Sequence, residues 1–590
     1  MTSVSDFLAA RLRAWDVDRV FGFPGRDTDA LVTALSGGRD TPEFVQVRHE
    51  ESAALMACAH AKLTGGVGCC LAPSGSGALH LLSGLYDAAL DRRPVVALVG
   101  HQPLPAHGGR RPAIETVPHF TEVSASCEAV FDPAVAGTAL DRAFRAALSE
   151  RGVATLLIPG AVLRAGAPRS PRTTDQSAPV PPRPPLRPPA ERDVRRAADV
   201  LNAGRRVAVV VGPGAAGASG QVAGLAELLG AGVARTPLAR DVLPDDLPYA
   251  AGTAGPFGSA VAAALLRDCD TLLLVGAEDL DVRVVPEQAR RRIVAVDTDA
   301  GDSPWGPDAS FAARVTGDAA TALETLVPLL HRKSGRRWRA DVQRAVREWR
   351  AEGHSKAHRF FGMAINPRSV VAELSARLPD RAVVVADSGS AMDWWTRHLE
   401  LRTGMRAALS GHLATPGAAV AYAVAARLAL PERPVIALVG DGAMQAGGMN
   451  ELITVRRHLE RLAGLPPTVF CVLNNEDLSR LTWERRKTAG NPRIPATGEV
   501  PAVSYAGYAR LLGLPGIRCT RPGQVGDVWE HALAGRGPML LEFMVDGDTP
   551  PDWAEFHGPA GARAPSLTHR AGGLLRRRIT ASVGGLPGSA

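Results

Sequence analysis

No stretch of about 18 consecutive apolar residues occurs anywhere in the 590-residue sequence, which argues against a membrane-spanning helix. Aromatic residues are scarce, at 5%, too few for the stacked platforms that hold single-stranded nucleic acid. The formal charge of +7 does not restore that reading. Its arginines are scattered, or gathered in linkers and the tail, and not set as a basic stripe, so no nucleic-acid partner is expected. Cysteine is also rare: seven residues, an odd number with no framework spacing, which excludes a disulfide-stapled secreted module. Cys69 and Cys70 lie inside an apolar run and read as core thiols. Met1–Asp6 lacks the basic-then-apolar pattern of a signal peptide, so a soluble, cytoplasmic protein is expected.

What is present is ordinary for large buried cores: 46% apolar and 22% charged residues. At roughly 150 residues per domain the length suggests three or four domains. Residues 1–166 form a first block. Val4, Phe7, Leu8, Leu12 and Trp15 recur at helical spacing. Short apolar runs at Arg19–Phe23, Phe44–Val47, Val67–Leu71 and Val95–Val99 then alternate with helical stretches. Such alternation predicts a parallel sheet covered on both faces. Residues 167–191 are a linker, with nine prolines between Ala167 and Pro189. A second block, 192–335, has strand-like runs at Val207–Val211, Thr271–Val275 and Ile293–Val296. A basic linker, 336–365, helical around Trp338–Trp349, leads to a third block at 366–550. Its strands are expected at Ala382–Ala386, Val435–Val439, Thr468–Leu473 and Met539–Val545. Residues 551–590, rich in Gly, Ala, Pro and Arg, read as a flexible tail. Within it, Leu574–Ile579 is short and flanked by glycine, so membrane association is not expected. The fold class is α/β, with three doubly wound parallel-sheet domains.

The decisive pattern is in the third block. The strand Val435–Val439 ends in Gly440-Asp441-Gly442-Ala443-Met444, and the next strand ends in Asn474-Asn475. Glycines let backbone amides approach a diphosphate closely. Mg²⁺ prefers hard oxygens from a few protein groups together with phosphate and water. Asp441 can supply a carboxylate and Asn475 an amide oxygen, both at carboxyl ends of strands, where open α/β sheets bind ligands. Gly-Asp-Gly alone is a weak signal, and Asn-Asn after the following strand strengthens it.

This pairing resembles the signature of thiamine-diphosphate enzymes of the acetolactate synthase and pyruvate oxidase family. The resemblance implies that Asp441, Asn475 and the backbone carbonyl of Asp477 hold Mg²⁺. Asp441 and Asn475 are 34 positions apart, longer than is usual, which reads as an insertion around His458–Pro467. Val47-Arg48-His49-Glu50-Glu51 resembles the strand end carrying the family's catalytic glutamate. Read without the resemblance, Glu50 is a helix N-terminal carboxylate favoured by the dipole. With it, Glu50 is the catalytic acid–base that bonds the cofactor's aminopyrimidine and activates the thiazolium. Positioned proton transfer of this kind is worth about 10²–10⁴-fold. Pro24, Gly25, Ser74 and Gly75 join the implied cofactor contacts of the first, pyrimidine-binding block. Ser388, Gly389, Ser390, Ala414, Pro416 and Gly440–Met444 join those of the third, diphosphate-binding block. In this family the two blocks of different subunits face each other, so a homodimer or homotetramer with interfacial sites is implied.

Gly212-Pro213-Gly214-Ala215-Ala216-Gly217 fits a dinucleotide fingerprint, but no acidic residue is clear at the expected distance. The block resembles the family's central domain. FAD is left open there: Val275–Leu280 stands where flavin-binding relatives carry an aromatic-containing stretch, and Asp297-Thr298-Asp299 resembles their acidic segment. Two positions depart from the family. Pro416 stands where a bulky apolar residue bends the cofactor, and Ala414, where glycine is usual, would offer its carbonyl. Ile114 stands where pyruvate oxidases place glutamine. Of the histidines near the implied site, His49, His80, His119 and His412, each reads first as structural, and His412 is the best candidate for more. The resemblance implies decarboxylation of a small 2-oxo acid such as pyruvate, leaving an enamine that is then oxidised, as in pyruvate oxidase. Carboligation of the acetolactate synthase type is the alternative. A catalytically silent cofactor-binding paralogue is the reading from another class.

Overall fold

The computed structural model describes residues 2–37, 40–102, 115–167, 188–256, 258–280, 284–285, 292–298, 311–359, 364–490 and 493–553. Ile114, Asp299, most of the proline-rich linker and nearly all of the tail lie outside the described residues.

Three six-stranded sheets, all parallel, are flanked by helices. The first comprises β1 (Arg19–Gly22), β2 (Glu43–Gln46), β3 (Gly68–Ala72), β4 (Val95–His101), β5 (Ser124–Ala129) and β6 (Val153–Pro159), in the order β2-β1-β3-β4-β6-β5. The central sheet comprises β7 (Val207–Val211), β8 (Gly232–Arg235), β9 (Ala250–Thr253), β10 (Thr271–Val275), β11 (Ile293–Asp297) and β12 (Ala313–Thr316), in the order β12-β11-β10-β7-β8-β9. The third comprises β13 (Val383–Ala386), β14 (Arg406–Leu409), β15 (Val435–Gly440), β16 (Thr468–Asn474), β17 (Gly516–Cys519) and β18 (Pro538–Met544), in the order β14-β13-β15-β16-β18-β17. First and third sheets therefore share one topology, and the central sheet has the dinucleotide-fold order. The innermost strands are buried at every residue in β3, β4 and β7, which explains their continuous apolar runs.

First and third blocks share a core. The helix Ala418–Ala429 is buried along Ala418–Leu428 and packs on the helix Glu50–Thr64. Alanines along both helices keep their side chains short and allow close approach. Helix Glu50–Thr64 also lies directly on β3: a Cβ at Gly68 would stand 2.0 Å from the Ala57 carbonyl oxygen.

The basic stretch after the central block is more than a linker. It holds the helix Arg337–Ala357, whose Trp338, Val342 and Val346 are buried in the central core. Spacing of four residues puts these three on one face, so charge on the remaining faces had masked an apolar stripe. The start of the tail is likewise anchored: Asp552 pairs with Arg368 at 2.9 Å, and Trp553 Nε1 donates to Asp393 Oδ2 at 3.0 Å. All seven cysteines are free thiols, six of them buried. Among the described residues, no helix is long and apolar enough to cross a membrane.

Candidate functional site

In the first block, β1, β2 and β3 deliver their carboxyl ends to one place. Gly25 follows β1 and presses on Pro73 after β3; a Cβ at residue 25 would lie 2.2 Å from Pro73 Cβ. Asp27 ties the two turns together by accepting from the Ser74 amide at 2.9 Å. Gly75 has φ +77 with nothing within 4 Å of an added Cβ, so its backbone faces open space at the start of the helix Ser76–Leu90. Glu50 opens its helix after β2 and is buried. Its Oε2 lies 3.0 Å from His80 Nδ1, and its Oε1 lies where a Cβ at Gly77 would intrude at 2.7 Å. The His80 ring stacks on His49, centroids 4.5 Å apart. Gly77 thus meets both the Glu50 carboxylate and Pro73, on which Gly25 presses, while Ser74 is tied to Asp27 and His80 is the polar partner of Glu50.

In the third block the equivalent strand ends build a different device. Asp441, after β15, is buried and accepts the amides of Gly442 at 2.9 Å, Asn475 at 3.0 Å and Glu476 at 2.6 Å. Burial pushes its carboxyl up to about 6, against those three donors. Asn475 Oδ1 accepts the Asp477 amide at 3.1 Å, which folds the segment after β16 back on itself; Glu476 takes φ +53 to allow this turn. Tyr505 closes the back, its hydroxyl donating to the Asp441 carbonyl at 3.2 Å. A buried carboxylate beside an amide oxygen, both at strand ends, is a donor set suited to a hard divalent cation.

Beside this, β13 ends in Asp387-Ser388-Gly389-Ser390. Asp387 is fully buried and accepts from Ser388 N at 2.9 Å, Gly417 N at 2.9 Å and Ala419 N at 3.0 Å. Burial pushes it up to about 7 despite these bonds. It holds the Leu413–Gly417 turn against the Ser388–Ser390 turn. Gly389, at φ +84, and Gly440 have nothing within 4 Å of an added Cβ, so both turns face open space. Ala414 sits at φ +53, a region costly for any side chain and consistent with glycine being usual there. Gly417 lies on Gly447, and a Cβ there would stand 3.4 Å from the Ala443 carbonyl oxygen, so the residue after Pro416 abuts the end of the Gly440–Met444 segment.

Three family models match in sequence: the N-terminal TPP binding domain of thiamine pyrophosphate enzymes over residues 2–122, their central domain over 194–326, and their C-terminal TPP binding domain over 387–543. YdaP of Bacillus subtilis (strain 168), provisionally named a thiamine pyrophosphate-containing protein, is 31% identical over 542 residues, covering 92% of this chain and 91% of its own. The chain belongs to the thiamine pyrophosphate enzyme family. Within this family it is 29% identical to a pyruvate oxidase of Lactiplantibacillus plantarum over 557 residues, covering 91% of this chain and 88% of that protein. The large subunit of acetolactate synthase isozyme 2 from Escherichia coli (strain K12) is 29% identical over 550 residues, covering 91% and 94%.

Seen as a family member, the chain brings its first-block residues into one cluster and its third-block residues into another. Among the described residues no hydrogen bond or ion pair joins Glu50 to Asp441, Asn475 or Asp477. Asp27, Asp91, Lys62 and Tyr505 were not singled out from sequence; isolated polar residues in helices and turns carry no periodic signal. In the central domain, Gly212 N donates to Val275 O at 3.0 Å and Gly214 N to Gly276 O at 3.1 Å. That turn is closed on the end of β10, and these amides are not free for a dinucleotide diphosphate. Glu278 pairs with Arg92, and burial pushes Asp279 up to about 6.

Proposed function

We propose that this family member decarboxylates a small 2-oxo acid such as pyruvate, using thiamine diphosphate and Mg²⁺, in sites completed between two subunits. The observation that carries this is the pair of complementary strand-end clusters, one built on Glu50 and His80, the other on Asp441 and Asn475, with no bond between them inside one chain. Asp441, Asn475 and the Asp477 carbonyl would hold Mg²⁺. The Ser388–Ser390 and Gly440–Gly442 turns would receive the diphosphate with backbone amides. When bound, thiamine diphosphate supplies the carbon nucleophile and the electron sink for loss of CO₂.

The chain's own part is proton handling and orientation. Glu50, bonded to His80 and given room by Gly77, would be the group that exchanges a proton with the cofactor's aminopyrimidine. Ala414 would offer its carbonyl to the aminopyrimidine, and Pro416 would stand where a bulky apolar residue supports the cofactor. His80 keeps one Glu50 oxygen engaged, so exchange runs through a single oriented carboxyl.

For the fate of the acyl group, oxidation comes first, supported by the pyruvate oxidase relative. Carboligation is the second reading, supported by the acetolactate synthase relatives. With the Gly212 and Gly214 amides bonded to Val275 and Gly276, no step is routed through FAD, and an added two-electron acceptor would serve. The test is CO₂ release from a panel of 2-oxo acids with both cofactors, with acceptor reduction and acetolactate measured alongside. Acceptor reduction equal to CO₂ supports oxidation; acetolactate equal to CO₂, at half the pyruvate consumed, supports ligation. Release from no acid, by protein that binds the cofactor, contradicts the reading and points to a silent paralogue.

A further inference from the structure

A buried charge network lies where the first and third blocks meet, apart from both Glu50 and Asp441. Lys62, near the end of the helix Glu50–Thr64, places its ammonium 2.6 Å from Asp91 Oδ2, 2.6 Å from the Tyr422 hydroxyl and 2.8 Å from the Leu409 carbonyl. Asp87 Oδ2 lies 3.5 Å from it and also accepts from the Tyr422 hydroxyl. The side chains of Asp87 and Asp91 are wholly buried. Burial alone would push the Asp91 carboxyl up, but Lys62 and His412 hold it well below the usual carboxylate range. Burial would likewise lower Lys62, and Asp87 with Asp91 keep it charged.

Asp91 does more than pair with Lys62. It accepts from Gly411 N at 2.9 Å, from His412 N at 2.9 Å and from His412 Nδ1 at 2.8 Å. One carboxylate of the first block therefore grips two consecutive residues of the third. Lys62 grips a third, Leu409, at the end of β14. The turn that follows is closed by Thr415 N donating to Ser410 Oγ at 3.0 Å, and its far end is held by Asp387. Ala414, in the left-handed region, sits between these two anchors. A conformation of that cost persists only where its surroundings over-determine it. A buried ion pair is a poor source of stability beside apolar packing of the same volume, and its best-attested use is to fix one arrangement. Here the arrangement fixed is that of the turn.

We propose that Asp91, assisted by Lys62, is a positioning residue for the cofactor site: it locks the Ser410–Gly417 turn so that the Ala414 carbonyl and Pro416 meet the cofactor. The inference rests on the proposed function, because that reading gives the turn its role. Lys62 lies 12 residues along the helix from Glu50, about 18 Å by helical rise, so the network acts on the third block and not on the acid–base group.

The test is calorimetric titration of thiamine diphosphate at saturating Mg²⁺, with thermal melts, on the full-length protein. Asp91→Asn should weaken cofactor binding about tenfold or more, the scale of a lost charged hydrogen bond. Asp141→Asn is the control, because Asp141 is also a buried acceptor, bonded to Arg11 at 2.7 Å and Trp15 at 2.8 Å, but far from the turn. It should lower Tm and leave the cofactor Kd unchanged. Equal Kd in wild type and Asp91→Asn, or equal weakening in the control, overturns the inference. Should Asp91→Asn fail to fold, His412→Gln decides: it keeps the backbone bonds, and several-fold weaker binding supports the inference while unchanged binding overturns it. Wild-type protein that binds no thiamine diphosphate would instead overturn the proposed function itself.

Discussion

The first and third blocks have the same strand order, yet their equivalent crevices are furnished in opposite ways. In both, the chain reverses direction between the first and third strands of the sheet, and loops there leave a cleft. The first block lines it with one glutamate, a histidine and glycines that keep space around the carboxylate. The third lines it with two buried aspartates whose oxygens are occupied by backbone amides, beside turns open to solvent. The fold fixes where a site can be, and under the proposed function a handful of side chains would decide whether it moves protons or holds a diphosphate and its metal. The central block, with the dinucleotide order, differs again: the amides of Gly212 and Gly214 are spent on Val275 and Gly276.

Four changes would break or sharpen this contrast. Glu50→Gln should cut CO₂ release by about 10²-fold or more while leaving cofactor affinity nearly intact, because only proton exchange is lost. Asp441→Asn should do the reverse, lowering cofactor affinity at fixed Mg²⁺ by about tenfold or more, with EDTA producing the same loss in wild type. If both variants changed affinity alike, the division of labour between the blocks would be wrong. Gly417→Ala should destabilise by about 1–3 kcal/mol in urea unfolding. Its φ is +91, and the new Cβ would stand 3.0 Å from Gly447 backbone atoms. Gly75→Ala, with φ +77 and open space, should cost less, about 1 kcal/mol.

The smallest effect concerns pH. The Asp91 hydrogen bond raises His412 above its ordinary value near 6.5. The sign follows: this contribution to stability is complete below pH about 6.5 and is lost as pH rises through the higher folded value. Wild type should therefore lose more Tm than His412→Gln between pH 6 and pH 9. Parallel losses would remove His412 from the account.

Much of this was legible in the sequence. Glycine-rich turns after apolar runs located the strand ends, because backbone crowding there demands glycine in any such fold. Strands β3, β4, β7, β10, β15 and β16 announced themselves by the apolar runs that go with near-complete burial. Edge strands such as β14 and β17 did not, since Arg406 and Arg518 interrupt short, half-buried segments. The helix Arg337–Ala357 was expected around Trp338–Trp349, but its charge hid the Trp338, Val342 and Val346 face that docks in the central core. The contacts of Glu50 with His80 and of Asp91 with Gly411 and His412 could not be read at all, for they join residues 30 and about 320 positions apart. The role of Glu50 came from resemblance, and the geometry adds only what touches it.

The most direct measurement uses two impaired variants together. At thiamine diphosphate that loads wild type but lies well below the Kd of Asp441→Asn, Glu50→Gln and Asp441→Asn should each release little CO₂ alone. Co-expressed, they form mixed dimers in which one site receives both substitutions and the other receives neither. Activity should then return to about a quarter of wild type, given random pairing in a two-fold dimer. Verified mixed dimers with no recovered activity would contradict a site built from the first block of one chain and the third block of another.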